Sequence, residues 1–168
     1  MKLVIDVHYN NNEYAVASGV LFSDWESSSY SSKLSVKIND IEPYQPGSFF
    51  KRELPCILAL LNEIKDDVEV IVIDGYVSLG EARQDGLGSH LYNNLNTKVP
   101  IIGVAKNRFA GTPEQCEVLR GTSKKPLYVT SIGISQSEAK RFIQQMHGEY
   151  RVPTLLKLVD SECRNEIA

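Results

Sequence analysis

The sequence predicts an α/β fold: a mixed sheet, three antiparallel strands followed by parallel strands, flanked by helices. Three observations predict it. The chain opens with short β-branched runs that have only turn residues or a serine-rich loop between them. Two almost wholly apolar runs, 68–73 and 101–105, follow, as in strands covered on both faces. Stretches with helical spacing or length lie at 55–64, at 87–95 and after 135.

Residues 3–7 form a short β-branched run with Asp6 inside it, and 13–22 form a longer one. Asn10, Asn11 and Asn12 favour a turn between them, so the pair reads as a hairpin. After the serine stretch 27–32, read as an exposed loop, Leu34, Val36 and Ile38 alternate with polar residues, the period of a third, half-buried strand. Pro43-Tyr44-Gln45-Pro46-Gly47 cannot be helical, and a buried helix is expected over 55–64 with Pro55 in its first turn. Residues 68–73 read as a central strand that ends at the turn Asp74-Gly75. A loop leads to a helix over 87–95, then to a buried strand over 101–105 ending at Lys106, and to another strand over 127–130. Ser135 and Glu138 have capping-box spacing, and Ala139, Phe142, Ile143 and Met146 form the inner stripe of the helix they open. A last helix is expected after Pro153. Strand, strand, strand, helix, strand, helix, strand, strand, helix, helix is the order of a ribonuclease H-like domain, which by itself implies no activity.

With 168 residues, 42% of them hydrophobic and 23% charged, the chain has the proportions of one globular domain spanning 1–168. Cys56, Cys116 and Cys163 are odd in number and in no C-x-x-C pair. That disfavours a disulfide scaffold and a zinc ribbon, and it points to a reducing, cytoplasmic setting. The start reaches Asp6 after three apolar residues, unlike a signal peptide, and no apolar run approaches the roughly 20 residues that span a bilayer. A soluble protein with no membrane partner is expected. Eighteen basic against 21 acidic residues give a net charge of −3, which argues against holding nucleic acid by bulk charge alone. Between 98 and 125, Lys98, Lys106, Arg108, Arg120, Lys124 and Lys125 outnumber Glu114 and Glu117, a local basic bias that is equally the composition of a solvated face.

Asp6 interrupts the first strand, Glu53 lies just before the expected first helix, and Asp74 closes the central strand, so all three should meet near one end of the sheet. Converging buried acids need a compensating cation, and hard oxygen ligands select Mg²⁺ or Mn²⁺ over histidine-rich zinc chemistry. Each acid also has an ordinary explanation: a strand-edge charge for Asp6, a favourable helix N-terminus for Glu53, a turn for Asp74. His8, His90 and His147 read as structural hydrogen-bonding or helix-end residues, although His8 and His90 fall near the same region.

The segment from Pro43 to Glu53 resembles the proline-tyrosine-x-proline-glycine stretch that leads to a catalytic glutamate in the endonuclease V family, nucleases acting on deaminated adenine. Ile5-Asp6-Val7, Ile73-Asp74-Gly75, Ile102-Gly103-Val104-Ala105-Lys106, and Arg151-Val152-Pro153 with Lys157-Leu158-Val159-Asp160 resemble the family in the same order, over nearly the whole chain. The resemblance implies that Asp6, Glu53 and Asp74 bind metal, with Asp160 as a fourth acid that some members replace by histidine. It implies Lys106 beside the scissile phosphate, where a plain reading has a solvated strand-end lysine. It implies Tyr44, held by Pro43, Pro46 and Gly47, as a wedge filling the gap of a displaced base, where a plain reading packs it on the sheet edge. Gly86, Leu87, Gly88, Ser89 and His90 resemble the family's glycine-containing helix start, whose N–H groups would face a phosphate or base edge. The chain differs from the family's pattern at Gln45, in the loop Leu79-Gly80-Glu81-Ala82-Arg83, across Ser131-Ile132-Gly133-Ile134 and at Lys157, and it begins almost at the first strand.

The expected function is therefore that of a Mg²⁺-dependent endonuclease, Mn²⁺ substituting, that cuts DNA or RNA containing deaminated adenine 3′ to the lesion. The products would carry a 3′-hydroxyl and a 5′-phosphate, and the protein is expected to be a monomer. Three alternatives stand beside it: a general structure-dependent nuclease, a non-cleaving binder of inosine-containing nucleic acid and, more weakly supported, a protein-interaction domain without catalysis.

Overall fold

Asn11, in the left-handed backbone region at φ 54°, turns the chain between β1 (Lys2–Asn10) and β2 (Tyr14–Phe22), and the N–H of Glu13 donates to the Asn10 carbonyl at 3.2 Å. The computed structural model describes residues 1–167. β3 (Ser32–Ile38) pairs antiparallel with β2, so the last serine of the loop already belongs to the strand. The central strands are β4 (Val70–Asp74) and β7 (Ile101–Ala105), and β1, β4 and β7 run parallel. β9 (Leu127–Ile132) then pairs antiparallel with β7, and the short β8 (Glu117–Val118) pairs antiparallel with β9. The connection from β7 to β9 carries only a 3₁₀ turn (Glu114–Cys116), which an antiparallel return permits and a parallel crossover does not. The sheet order is β3-β2-β1-β4-β7-β9-β8.

The two faces follow from the alternation of the strands. Leu3, Ile5, Ile71, Ile73 and Ile101 pack on α1 (Phe50–Asn62) and α2 (Leu87–Asn94) through Cys56, Ile57, Leu60, Leu87 and Leu91. Val4, Val72, Ile102 and Val104 pack on α3 (Gln136–Gln145) and α4 (Thr154–Ile167) through Ala139, Ile143, Leu155 and Val159. Ser135 caps α3 as expected, its Oγ accepting the Glu138 N–H at 3.2 Å. No helix among the described residues is long and apolar enough to cross a membrane.

One helix departs from expectation. α1 begins at Phe50 and holds Pro55 inside it, so Glu53 lies in its first turn, not before it. Pro55 is early enough that only one intrahelical bond, to the carbonyl of Lys51, is lost, and the apolar face from Cys56 to Leu60 outweighs that loss. A hairpin of two short strands, β5 (Ser78–Leu79) and β6 (Gln84–Asp85), also fills the loop after Asp74.

Gly103 sits where β4 and β7 open toward that loop: a Cβ there would lie 2.5 Å from the Gly75 carbonyl oxygen and 2.8 Å from both Thr130 Oγ1 and the Val77 nitrogen. Those neighbours are backbone or buried, and Thr130 Oγ1 already accepts the Val77 N–H at 2.8 Å. Gly103→Ala is expected to cost about 1 to 3 kcal/mol, read as a lower urea midpoint at an unchanged slope. An unaltered midpoint would show that the two strand ends separate freely.

Candidate metal centre and cleft

Ile5 pairs with Ile73 as the last pair of the parallel β1–β4 ladder, so Asp6 and Asp74, each one residue further on, lie side by side just past it, Asp6 still paired with Ser18 of β2. By the period of the strands both belong to the face with Val4 and Val72, the face that α4 covers. Asp160 comes from α4, and Asp6, Asp160 and the Cys163 thiol bring their ligand atoms within 4.8 Å of one another. Glu53 reaches the same edge from the opposite face: Asp6, Glu53 and Asp74 line one crevice with Ile57 and Leu87. A second crevice, bounded by Asp6, Asp74, Lys106 and Val159, adjoins it. Lys106 Nζ is 3.8 Å from Asp74 Oδ2.

The placement of Glu53 depends on its neighbour. Arg52 lies 3.8 Å over the Tyr9 ring and donates from Nη2 to the Asn11 carbonyl at 2.9 Å, tying the first turn of α1 to the β1–β2 turn. Arg52 carries no obvious signal in the sequence. Cys163 and Arg164 carry no motif of their own either, although their spacing from Asp160 puts both on its side of a helix. Arg164 Nε donates to Asp160 Oδ1 at 2.9 Å.

Electrostatically the acids divide. Burial, then the charge of Asp74, pushes the Asp6 carboxyl up to about 8, against one hydrogen bond at 2.9 Å from the Val7 N–H. Burial, then Asp6 and Asp74, pushes Glu53 up to about 8. Asp74 is also raised, chiefly by burial, with Lys106 opposing. Burial acts on Asp160 as well, but the Arg164 hydrogen bond, the hydrogen bond shared with Asp6 and the charge of Lys106 outweigh it and lower its pKa. The two members of the Asp6–Asp160 pair are thus shifted in opposite directions, Asp6 up and Asp160 down. A donor set of carboxylate oxygens that resist joint ionisation is what a hard divalent cation fits. The thiol of Cys163 is pushed up to about 12 by burial first and stays protonated.

A cleft of about 840 Å³ adjoins these acids, lined by Glu53, Asp74, Gly75, Tyr76 and Arg108 and by the aromatic rings of Tyr9, Tyr44, Phe49, Phe50 and Phe109. Tyr44 is 52% exposed on its rim, 5.6 Å from the Phe49 ring, with Gly47 beyond it at φ 79° and Pro43 and Pro46 on either side. Gly86 also lines the cleft, but the glycine start of α2 does not present its N–H groups there. Those of Gly86 and Ser89 donate to the Val77 carbonyl at 2.9 and 3.1 Å, and that of Gly88 to Tyr76 at 3.1 Å. The glycines instead allow close packing: a Cβ on Gly88 would lie 2.6 Å from Val77 Cγ2, and one on Gly86 2.8 Å from the Tyr76 carbonyl oxygen. Ser89 is buried and its Oγ also donates to Val77, at 2.8 Å. His90 stacks on Phe50 with ring centroids 3.7 Å apart, an α1–α2 contact.

The endonuclease V family model matches residues 3–123, a stretch that includes Asp6, Glu53, Asp74 and Lys106. An endonuclease V of Streptomyces coelicolor is 28% identical over 95% of this chain and 76% of its own length. One from Nostoc punctiforme is 30% identical over 70% of this chain and 61% of its own. The crystal structure of the Streptomyces avermitilis endonuclease V, 28% identical, superposes with a TM-score of 0.75 over 99% of this chain and 80% of that one. The Ciona intestinalis endonuclease V, crystallised with DNA containing an inosine followed by a ribo-adenosine, shares the fold at a TM-score of 0.80 and 23% identity, covering 99% and 86% of the two chains.

The raised acids give stability a definite pH dependence when no cation is present. Asp6 and Glu53 bind protons more tightly folded than unfolded. Their contribution is therefore complete below the unfolded carboxyl pKa of about 4 and is lost as pH rises toward 8. Urea unfolding in chelator should show stability falling between pH 5 and pH 8, with a flatter profile for Asp6→Asn. A stability that rises across this window would remove the two carboxyls from a common buried site.

Proposed function

We propose, from the premise that this chain belongs to the endonuclease V family, that it is a metal-dependent endonuclease of inosine-containing DNA or RNA. It hydrolyses one phosphodiester 3′ to the deaminated base, leaving a 3′-hydroxyl and a 5′-phosphate. The observation that carries this reading is the meeting of Asp6, Glu53, Asp74 and Asp160 with Lys106 at one sheet edge, directly beside a cleft wide enough for a nucleotide. The inosine-containing DNA bound by the Ciona protein supports the choice of substrate.

Asp6, Glu53, Asp74 and Asp160 would hold Mg²⁺, or Mn²⁺ in its place. Such ions, when bound, lower the pKa of water and neutralise charge on a phosphate. The chain's own groups do the rest. Lys106, at the end of β7 and 3.8 Å from Asp74, places a fixed positive charge where the pentavalent phosphate gains negative charge. Arg164, donating from Nε to Asp160 Oδ1 at 2.9 Å, keeps that carboxylate ionised and oriented at the cluster. Tyr44 and Phe49 form one aromatic lip of the cleft, and Tyr76 and Phe109, 6.2 Å apart, form another. A base drawn out of its stack can lie against such rings, and the exposed Tyr44 ring can close the gap it leaves.

The test is direct. Purified protein with Mg²⁺ is incubated with matched single- and double-stranded DNA and RNA oligonucleotides carrying adenine or inosine, and the cut is mapped. Cleavage beyond inosine is expected, absent in chelator and lost in Asp74→Asn, whose folded structure should persist because the amide keeps the carboxyl's shape and removes a repelling charge. Cutting of adenine and inosine strands alike would make this a general nuclease, and binding without cutting would make it a reader of inosine.

Tyr44→Ala should raise KM for the inosine strand by about five- to 150-fold, in line with the roughly 1 to 3 kcal/mol of a base–aromatic stack, and leave kcat nearly unchanged. Tyr44→Phe should retain the wild-type values. A fall in kcat alone, with inosine preference kept, would move Tyr44 from the substrate to the scaffold of the acids.

A further inference from the structure

Arg120 is 5% exposed, and the two terminal nitrogens of its guanidinium donate to main-chain carbonyls. Nη1 donates to Tyr150 at 2.6 Å and to Arg151 at 3.3 Å, and Nη2 to Met146 at 2.5 Å and Gly148 at 3.2 Å, while Nε has no partner. A buried cation held by carbonyl dipoles in place of a carboxylate is costly, so the loop it gathers must be worth fixing. Gly121 tightens the same junction: at φ 58°, a Cβ there would lie 2.0 Å from the Glu149 carbonyl oxygen. The far side of the loop closes on α4, where the Thr154 N–H donates to the His147 carbonyl at 2.8 Å and His147 Nδ1 lies 2.9 Å from Thr154 Oγ1.

From this anchored loop Arg151 reaches back to the sheet. Its Nη2 donates to the carbonyl of Lys106 and, at 2.7 Å, to that of Pro126, which Nε also contacts at 3.2 Å. Lys106 follows the last residue of β7 and Pro126 precedes the first of β9, so the two carbonyls lie beyond the final ladder pair, Ala105 with Tyr128. Nothing in the ladder fixes them there. A planar fork with several donors can bridge two such carbonyls, which a lysine ammonium cannot do in the same geometry.

We propose that Arg151 is a positioning residue for Lys106: it fixes the strand-end peptide from which the Lys106 ammonium reaches the phosphate, and Arg120 fixes the loop that carries Arg151. This rests on the endonuclease reading given above. The rival role for Arg151 is a direct contact with a substrate phosphate. A phosphate contact acts on affinity and its salt dependence, whereas positioning acts on kcat and only through Lys106.

A double-mutant cycle separates the two. Arg151→Ala is expected to lower kcat about 30- to 100-fold, the size of loss that a small misplacement near the reacting atoms produces. KM and its salt slope should stay near wild type, and free guanidinium ion at millimolar concentration should restore part of kcat. In a Lys106→Ala background the same substitution should change kcat less than about threefold, because the group it positions is gone. Arg151→Gln, which keeps a shorter donor, is read in the same cycle should the alanine variant fold poorly. Equal losses in both backgrounds, or a raised KM with kcat intact, would overturn the proposal. A second readout does not depend on cleavage and so distinguishes its failure from failure of the endonuclease reading. In wild type the two Cε protons of Lys106 should give distinct NMR lines, and these should merge in Arg151→Ala. Lines that stay distinct would refute the positioning role whatever the protein cuts.

Discussion

Everything at the candidate centre depends on the parallel register of β1 against β4. With Ile5 opposite Ile73, Asp6 and Asp74 must emerge from neighbouring strands on one face. Strand spacing sets such groups about 5 Å apart, and two full charges at that distance repel by about 3 kcal/mol at an effective dielectric of 20. That is a large share of the 5 to 15 kcal/mol by which an ordinary domain is stable. The apolar ladder beneath them, from Leu3 and Val4 to Ile71 and Val72, holds the register nonetheless. The molecule's own response is to raise the pKa of Asp6 and to set Lys106 and Arg164 beside Asp74 and Asp160. A divalent cation relieves the same conflict more fully, which is why the arrangement suits one.

The rest of the fold serves to bring further groups to that edge without filling it. Gly75 takes a φ of 139° as the chain leaves β4, and Gly103 leaves room for its carbonyl on the neighbouring strand. Gly86 and Gly88 let α2 begin against residues 76 and 77, which in turn seats Leu87 beneath the acids and Tyr76 on the cleft wall. His90 on Phe50 then joins α2 to α1, the helix that delivers Glu53. Small residues at the strand ends, aromatic contacts between the helices and a guanidinium over Tyr9 therefore act on one object, the position of four carboxyl groups.

How much of this could be read from the sequence follows from how local each signal is. The main strands, the N-cap at Ser135 and the acids Asp6 within β1 and Asp74 at the end of β4 rest on spacing within a few residues, and all are where the pattern puts them. The start of α1 was displaced because Pro55 reads as a first-turn residue, while the folded helix tolerates it one turn further in. The glycines before α2 looked like an anion cradle because a Gly-rich helix start is one when its N–H groups are free. Here they are taken by Tyr76 and Val77, a contact made across a hairpin of the chain. Cys163 beside Asp6, and Arg151 on the Lys106 carbonyl, join residues 157 and 45 positions apart, and no local pattern encodes such pairings.

The basic stretch between 98 and 125 shows the same limit and bears on how nucleic acid would be held. Lys98 donates to the carbonyls of Tyr92, Asn93 and Leu95 at the end of α2, where it offsets the helix dipole. Arg120 is buried, Arg108 donates to the Thr112 carbonyl at 3.1 Å, and Lys106 faces Asp74. Only Lys124 and Lys125 remain as exposed side chains without such a partner among the described residues. Six cations adjacent in sequence are therefore not one electrostatic surface, and with a net charge of −3 the chain has no broad field to draw a polyanion in. Under the proposed function, affinity would come instead from close contacts: rings against bases in the cleft, and phosphate oxygens at the acid cluster with cations held there.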